Sequence, residues 1–293
     1  MQAMDRRKFL STSLVVAAAP ALGATASVEF EREVGVVAAT LAAHMDHRVK
    51  GGLKLNDLPR IIRQELGMRL IDMNTMNFVS LTPRVAESFR AAAERESCVL
   101  TNLKLNQRNL DLGSDDAERR AHALKEYHRS VDAAALMGMR WVRPLPQPQQ
   151  GNRKHLIAGL RWLDDYAQEK KIRVLIENFG WMQNDPNSVV NLIRDVDRDL
   201  PASPDTGNWS NNEVRYPGLT KTFPLAATCD FKAKTLGPNG EHTAYDLEKC
   251  FRIGWEAGFR GPWCIEHGNR DLKKLYLELC QVKAMLARWM REA

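Results

Sequence analysis

From residue 34 onward, short runs of apolar and β-branched residues alternate with longer stretches whose apolar positions recur at helical spacing. That alternation is the pattern of an α/β protein built on a parallel sheet. Eight runs read as strands, at 34–39, 69–73, 98–103, 140–143, 173–178, 200–205, 227–232 and 262–267. Amphipathic stretches lie between them. Residues 115–137 would be capped by Ser114, and residues 153–170 end in lysines that suit a helix C-terminus. Eight strand and helix units in roughly 260 residues is the size of a single (β/α)8 barrel. An open doubly wound sheet is the rival, but no Gly-x-Gly-x-x-Gly turn occurs and no linker divides the chain. The Pro-Leu-Pro-Gln-Pro-Gln-Gln run at 144–150 reads as the loop after the fourth strand, at the end of a barrel where active sites are built.

The first 26 residues carry a different pattern. Asp5-Arg6-Arg7-Lys8-Phe9-Leu10 precedes an alanine-rich apolar stretch at 11–22 and then Ala24-Thr25-Ala26. This order of charged, apolar and small residues predicts a cleavable signal peptide, residues 1–26. The adjacent arginines make it twin-arginine in type, with the twin-arginine export machinery as its partner. The barrel, residues 27–293, would then be periplasmic or otherwise exported, and soluble after cleavage. The apolar stretch falls short of the about 20 residues a membrane span needs, and no other segment approaches that length.

The whole chain of 293 residues is 44% hydrophobic and 27% charged, a globular balance that needs neither metal nor disulfide merely to fold. Its net charge of +6 includes the basic N-terminus, and no basic stripe with interleaved aromatics supports a nucleic acid partner. The five cysteines, at 98, 229, 250, 264 and 280, contain no Cys-x-x-Cys pair, which argues against a zinc ribbon or a redox motif. Cys229 and Cys264 fall inside strands and read as small buried hydrophobes.

The chemistry is signalled by acids at strand ends: Glu177, Asp205, Asp230 and Glu266. Side chains alternate along a strand, so Glu177 shares a face with Leu175, Asp230 with Thr228 and Lys232, and Glu266 with Cys264. In a closed barrel the four would converge near the axis. Like charges that close raise pKa values and cost several kcal/mol, and a divalent cation would resolve the conflict. All-oxygen ligands favour Mn2+ or Mg2+ over Zn2+, although Zn2+ is also compatible.

These residues resemble the sugar phosphate isomerase/epimerase superfamily, with its xylose isomerase-like TIM barrel. The likeness spans roughly residues 34–290 and is strongest over 173–268. It rests on Ile176-Glu177-Asn178 in the fifth strand, Asp205-Thr206-Gly207-Asn208 after the sixth, and Gly258-Phe259-Arg260-Gly261 leading to Glu266 in the eighth. In the seventh strand many members read His-x-Lys, where this chain has Asp230-Phe231-Lys232; an aspartate can still ligate a hard cation. The resemblance implies a metal held by Glu177, Asp205, Asp230 and Glu266, with Glu177 and Glu266 also serving as the catalytic acid and base.

The reaction class would be proton transfer next to the carbonyl of a sugar or keto-sugar, through an enediolate. Lys232 is placed to stabilise negative charge, and Asn178, Asn208, His267 and Arg143 are placed to bind a carbohydrate substrate. Asp72 and Lys104, like Arg143, also read as strand-end salt-bridge partners, while His44 and His47 could reach the mouth of the site. Met68, Met73 and Met76 read as core or pocket lining. A lyase or dehydratase on the same barrel, and a noncatalytic sugar-binding protein, are the alternatives; a homo-oligomer is compatible with each. The histidine-rich zinc endonucleases that share this barrel rank lower, because the chain has seven histidines and only His267 adjoins one of the acids.

Overall fold

The apolar runs form strands buried on both faces, as a parallel sheet wrapped in helices requires. The computed structural model describes residues 30–45, 51–107, 109–237 and 240–293. Seven parallel strands are present among the described residues: β1 (Val34–Val37), β2 (Leu70–Asn74), β3 (Val99–Leu105), β4 (Trp141–Pro144), β5 (Arg173–Val174), β6 (Cys229–Lys232) and β7 (Trp263–Glu266). Their order is β5-β4-β3-β2-β1-β7-β6. The gap between β5 and β6 is filled by residues 202–205, through single bridges of Ala202 with Ile176 and Ala226 and of Asp205 with Asp230. The (β/α)8 ring is thereby complete, and the eight strand positions read from the pattern are all occupied.

Some runs form less strand than their composition suggests. Pro201 and Pro204 have no amide hydrogen, so the 200–205 run cannot sustain a ladder and contributes bridges only. The 173–178 run pairs as a strand over two residues and continues by isolated bonds, Leu175 N–H to Val142 O (2.8 Å) and Ile176 N–H to Pro201 O (3.1 Å). In the first run, the alanine-rich Ala38–His44 turns into a 3-10 helix directly after β1.

Eight α-helices among the described residues cover the outside of the ring. The helix Ala117–Leu136 is capped by Asp116, which accepts from the backbone N–H of Glu118 and Arg119, rather than by Ser114. Ser114 instead accepts from the Asp116 N–H at 3.2 Å, one step further out. The helix Arg153–Glu169 is capped by Asn152. No helix among the described residues is long and apolar enough to cross a membrane, and the expected signal, residues 1–26, lies outside them. Cys229 and Cys264 are buried and free, as are Cys98 and Cys250, while Cys280 is exposed.

Two apolar layers hold the barrel. The outer one lies between sheet and helices, and at its aromatic centre the buried Trp263 packs against Phe251, Phe259, Phe223 and Phe231 with ring centroids 4.8 to 5.9 Å apart. Trp263→Ala is expected to cost about 3–5 kcal/mol in a urea unfolding experiment. A loss below about 1 kcal/mol would show that the cluster is not a keystone of the fold.

The inner layer is small: Phe30, Leu70, Trp141, Leu175 and Ala227 close one end of the ring, with Phe30 edge-on to Trp141 at 6.1 Å. Two residues beyond Leu70, Trp141 and Leu175 along the chain come Asp72, Arg143 and Glu177. Strand alternation turns all three to the interior, above that apolar floor.

Candidate active site

At the carboxyl ends of the strands the four expected acids meet three buried or half-buried cations. Lys104 of β3, 1% exposed, is ion-paired with Asp230 of β6. Arg143 of β4 lies 2.6 Å from Glu177 through Nε and Oε2. Lys232, at the end of β6, sets its Nζ 2.9 Å from Asp205 Oδ2 and 2.9 Å from Glu266 Oε1. The last contact follows from register, since Lys232 and Glu266 are neighbours across β6 and β7.

Asn208 ties these groups together. Its Nδ2 donates to Glu177 Oε1 at 2.9 Å, and its Oδ1 accepts from Lys232 Nζ at 2.9 Å. A continuous path therefore runs from Glu177 through Asn208 and Lys232 to Glu266. Asp205 anchors the turn that makes this possible: its Oδ1 accepts the backbone N–H of Gly207 and Asn208 at 2.7 and 3.0 Å. The side chains of Lys232 and Glu266 are the accessible edge, 18% and 27% exposed, while Asp205 and Asp230 are sealed beneath.

Burial and its compensation set the ionisation. Desolvation pushes the Asp205 carboxyl up to about 6, against the pull of Lys232. Burial would likewise raise Glu266, but Lys232 and Lys104 outweigh it and hold the carboxyl below its ordinary value. For Lys104, burial alone would favour the neutral amine; Asp230, Glu177 and Glu266 reverse this and keep the ammonium charged.

A glycine allows Lys232 its position. A Cβ on Gly207 would stand 2.6 Å from Lys232 Cδ and 2.8 Å from the Tyr245 hydroxyl. Tyr245 donates to the Lys232 carbonyl, and Thr206 Oγ1 accepts the Lys232 N–H at 2.9 Å, so the backbone at 232 cannot retreat freely. Gly207→Ala is expected to displace the lysine and cost about 1–3 kcal/mol. Thermal unfolding checks this, and an unchanged midpoint would mean the loop yields without strain.

Some residues that looked chemical in the sequence have structural duties. Asn178 is buried and exchanges both bonds with the backbone of Asp205, donating to its carbonyl at 2.9 Å and accepting its N–H at 2.8 Å. It replaces ladder contacts that Pro204 cannot make. The ring nitrogens of His267 are both engaged, with Ala233 O at 2.8 Å and Glu278 Oε2 at 2.7 Å, which leaves neither for a substrate. Asp72 is bonded by Thr101 rather than by a cation, and His44 is bonded to Asn269 O at 2.8 Å. Met68 and Met73 are core, but Met76 is 60% exposed and lines nothing buried; His47 lies outside the described residues. Thr206, Gly207 and Tyr245 were not singled out in the sequence, although the first two sit inside the Asp-Thr-Gly-Asn motif that pointed to Asp205.

Beside Glu177 a small pocket of about 40 Å3 opens toward the 144–150 loop, with Leu110, Leu145, Ile176, Trp181 and Met182 in its wall.

The chain matches the xylose isomerase-like TIM barrel family over residues 63–292, and it belongs to that family. Among solved structures, a D-psicose 3-epimerase with D-tagatose from Clostridium cellulolyticum H10 superposes with a TM-score of 0.69, at 12% identity, over 88% of this chain and 98% of that one. A 3-keto-D-glucoside 4-epimerase from E. coli gives 0.65 at 17% identity, over 90% and 100%. A xylose isomerase-like protein from Mycobacterium smegmatis in complex with magnesium gives 0.61 at 20% identity, over 89% and 97%. None of the curated proteins matches the chain.

Glu177, Asp205 and Asp230 each bring an oxygen within 4.8 Å of the other two, a cluster of the kind that holds a divalent cation. The lining as it stands has no room for one: Arg143 is paired with Glu177, Lys232 with Asp205 and Lys104 with Asp230, so an ion could reach these oxygens only if a lysine withdrew.

Proposed function

We propose that the barrel moves a proton on the carbon next to the carbonyl of a sugar or keto-sugar, as an isomerase or epimerase. One observation supports this above the rest: the two glutamates stand at the ends of a single hydrogen-bonded path through Asn208 and Lys232. Binding alone needs no such pair of positioned acids.

Glu266, kept ionised by Lys232, is the base. It takes the proton from carbon; the C–H electron pair becomes a C=C bond, and the carbonyl π pair moves onto oxygen to give an enediolate. Lys232 offers an accessible positive charge to that oxygen. Glu177, oriented by Arg143 and Asn208, serves as the second proton-transfer group. Return of a proton to the same carbon from the other face inverts its configuration; return to the former carbonyl carbon, with the adjacent hydroxyl's proton passing to the enolate oxygen, shifts the carbonyl. The family resemblance and the epimerase neighbours agree with this class of reaction.

A Mn2+, Mg2+ or Zn2+ version of the same reaction is the second reading. It is favoured by the 4.8 Å cluster of Glu177, Asp205 and Asp230 and requires a lysine to leave.

The test is incubation of the purified protein with a panel of ketohexoses and 3-keto-glucosides in D2O, followed by NMR. Deuterium should enter at the carbon beside the carbonyl of at least one compound. Absence of exchange across the panel, with folded protein, would turn the reading toward a sugar-binding protein.

A further inference from the structure

The ammonium of Lys232 has the surroundings of a bound cation. Three oxygens from two segments, the 205–208 turn and the end of β7, lie 2.9 Å from its Nζ: Asp205 Oδ2, Asn208 Oδ1 and Glu266 Oε1. Gly207 is the one residue type that leaves its side chain room to reach them. A second ammonium, Lys104, is sealed against Asp230 at the position where the family motif carries a histidine. An aspartate there adds a negative charge that histidine would not, and the buried lysine cancels it. We propose that Lys232, with Lys104 beneath it, is a built-in substitute for a divalent ion, so that this chain excludes the metal and uses a fixed ammonium as its electrophilic charge.

The proposal rests on the proton-transfer reading for the purpose of that charge, but not for its presence. Removing Lys232 takes away one positive charge and vacates a cage of oxygens, which should create a cation site. Keeping the charge as arginine should not.

The experiment is Mn2+ binding, followed by electron paramagnetic resonance of free Mn2+ at up to about 1 mM, on the full chain and on its Lys232→Ala and Lys232→Arg variants. Expected are no stoichiometric binding by the wild-type chain or by Lys232→Arg, and about one Mn2+ per chain in Lys232→Ala, tighter by at least about a hundredfold. Stoichiometric Mn2+ binding by the wild-type chain would overturn the proposal. So would folded Lys232→Ala that binds none, since the acids would then not form a cation cage.

Should Lys232→Ala fail to fold, the wild-type chain decides alone through its lysine Nζ resonances. Those of Lys104 and Lys232 should keep their linewidth with Mn2+ present, and broadening of either overturns the inference. None of these readings involves turnover. A chain that excludes Mn2+ yet exchanges no sugar proton would sink the proposed function and leave the ammonium cage standing.

Discussion

Glutamine in place of Glu177 should lower carbon-bound proton exchange by at least about a thousandfold, within the range by which a positioned acid or base contributes. The substitution keeps the side chain's length and shape. Its amide removes the proton-transfer group and the charge opposite Arg143, 2.6 Å away. Glu266→Gln should cost a similar factor, with one difference. Glu266 is the more exposed of the two and shares Lys232 with Asp205, so its loss should leave the fold nearly as stable as before. Rates of deuterium entry measured by NMR, alongside circular dichroism, check both. Turnover within about tenfold of the wild type in either variant would remove that glutamate from acid or base duty.

A large effect on stability is expected from Lys104→Met. The lysine and Asp230 are both essentially inaccessible, and stripping one partner from a buried ion pair leaves a charge with no compensation, at a cost of about 3–5 kcal/mol. Asp230 Oδ1 already lacks a hydrogen-bond donor, so nothing nearby stands ready to take over. The double variant Lys104→Met/Asp230→Leu should recover most of the loss, because an apolar pair of similar volume has no charge to desolvate. Urea unfolding of the four proteins in the cycle gives the coupling. A value below about 0.5 kcal/mol would mean the pair does not act as one in the folded chain.

The barrel was readable because its strands obey two rules at once: apolar content for burial on both faces, and an interior residue every second position. The spacing from Leu175 to Glu177 and from Cys264 to Glu266 is enough to carry the acids to one end of the ring. The 200–205 run shows where such reading loses detail. Its apolar content marks the strand position, while Pro201 and Pro204 decide that the position is held by single bridges and by the side chain of Asn178.

The partners of the acids were the hidden part. Lys104 and Asp230 are 126 residues apart, and no local pattern ties one to the other. Four converging carboxylates signal a need for positive charge, which a divalent ion would meet; Lys104, Arg143 and Lys232 meet part of it with the chain's own side chains. His267 is a comparable case. Its place after Glu266 suggests a substrate contact, but its partner Glu278, in the second turn of the last helix, takes up the ring.

Gly207 and Lys232 also amount to a two-letter diagnostic for sorting related sequences. A side chain at 207 would occupy the space through which the lysine passes, so a lysine at 232 can adopt this pose only beside a glycine. Relatives with both letters, and with a lysine matching Lys104, would group as carriers of an internal ammonium. Those with a larger residue at 207 would have to place their positive charge by another route, and the division can be drawn from aligned sequences alone.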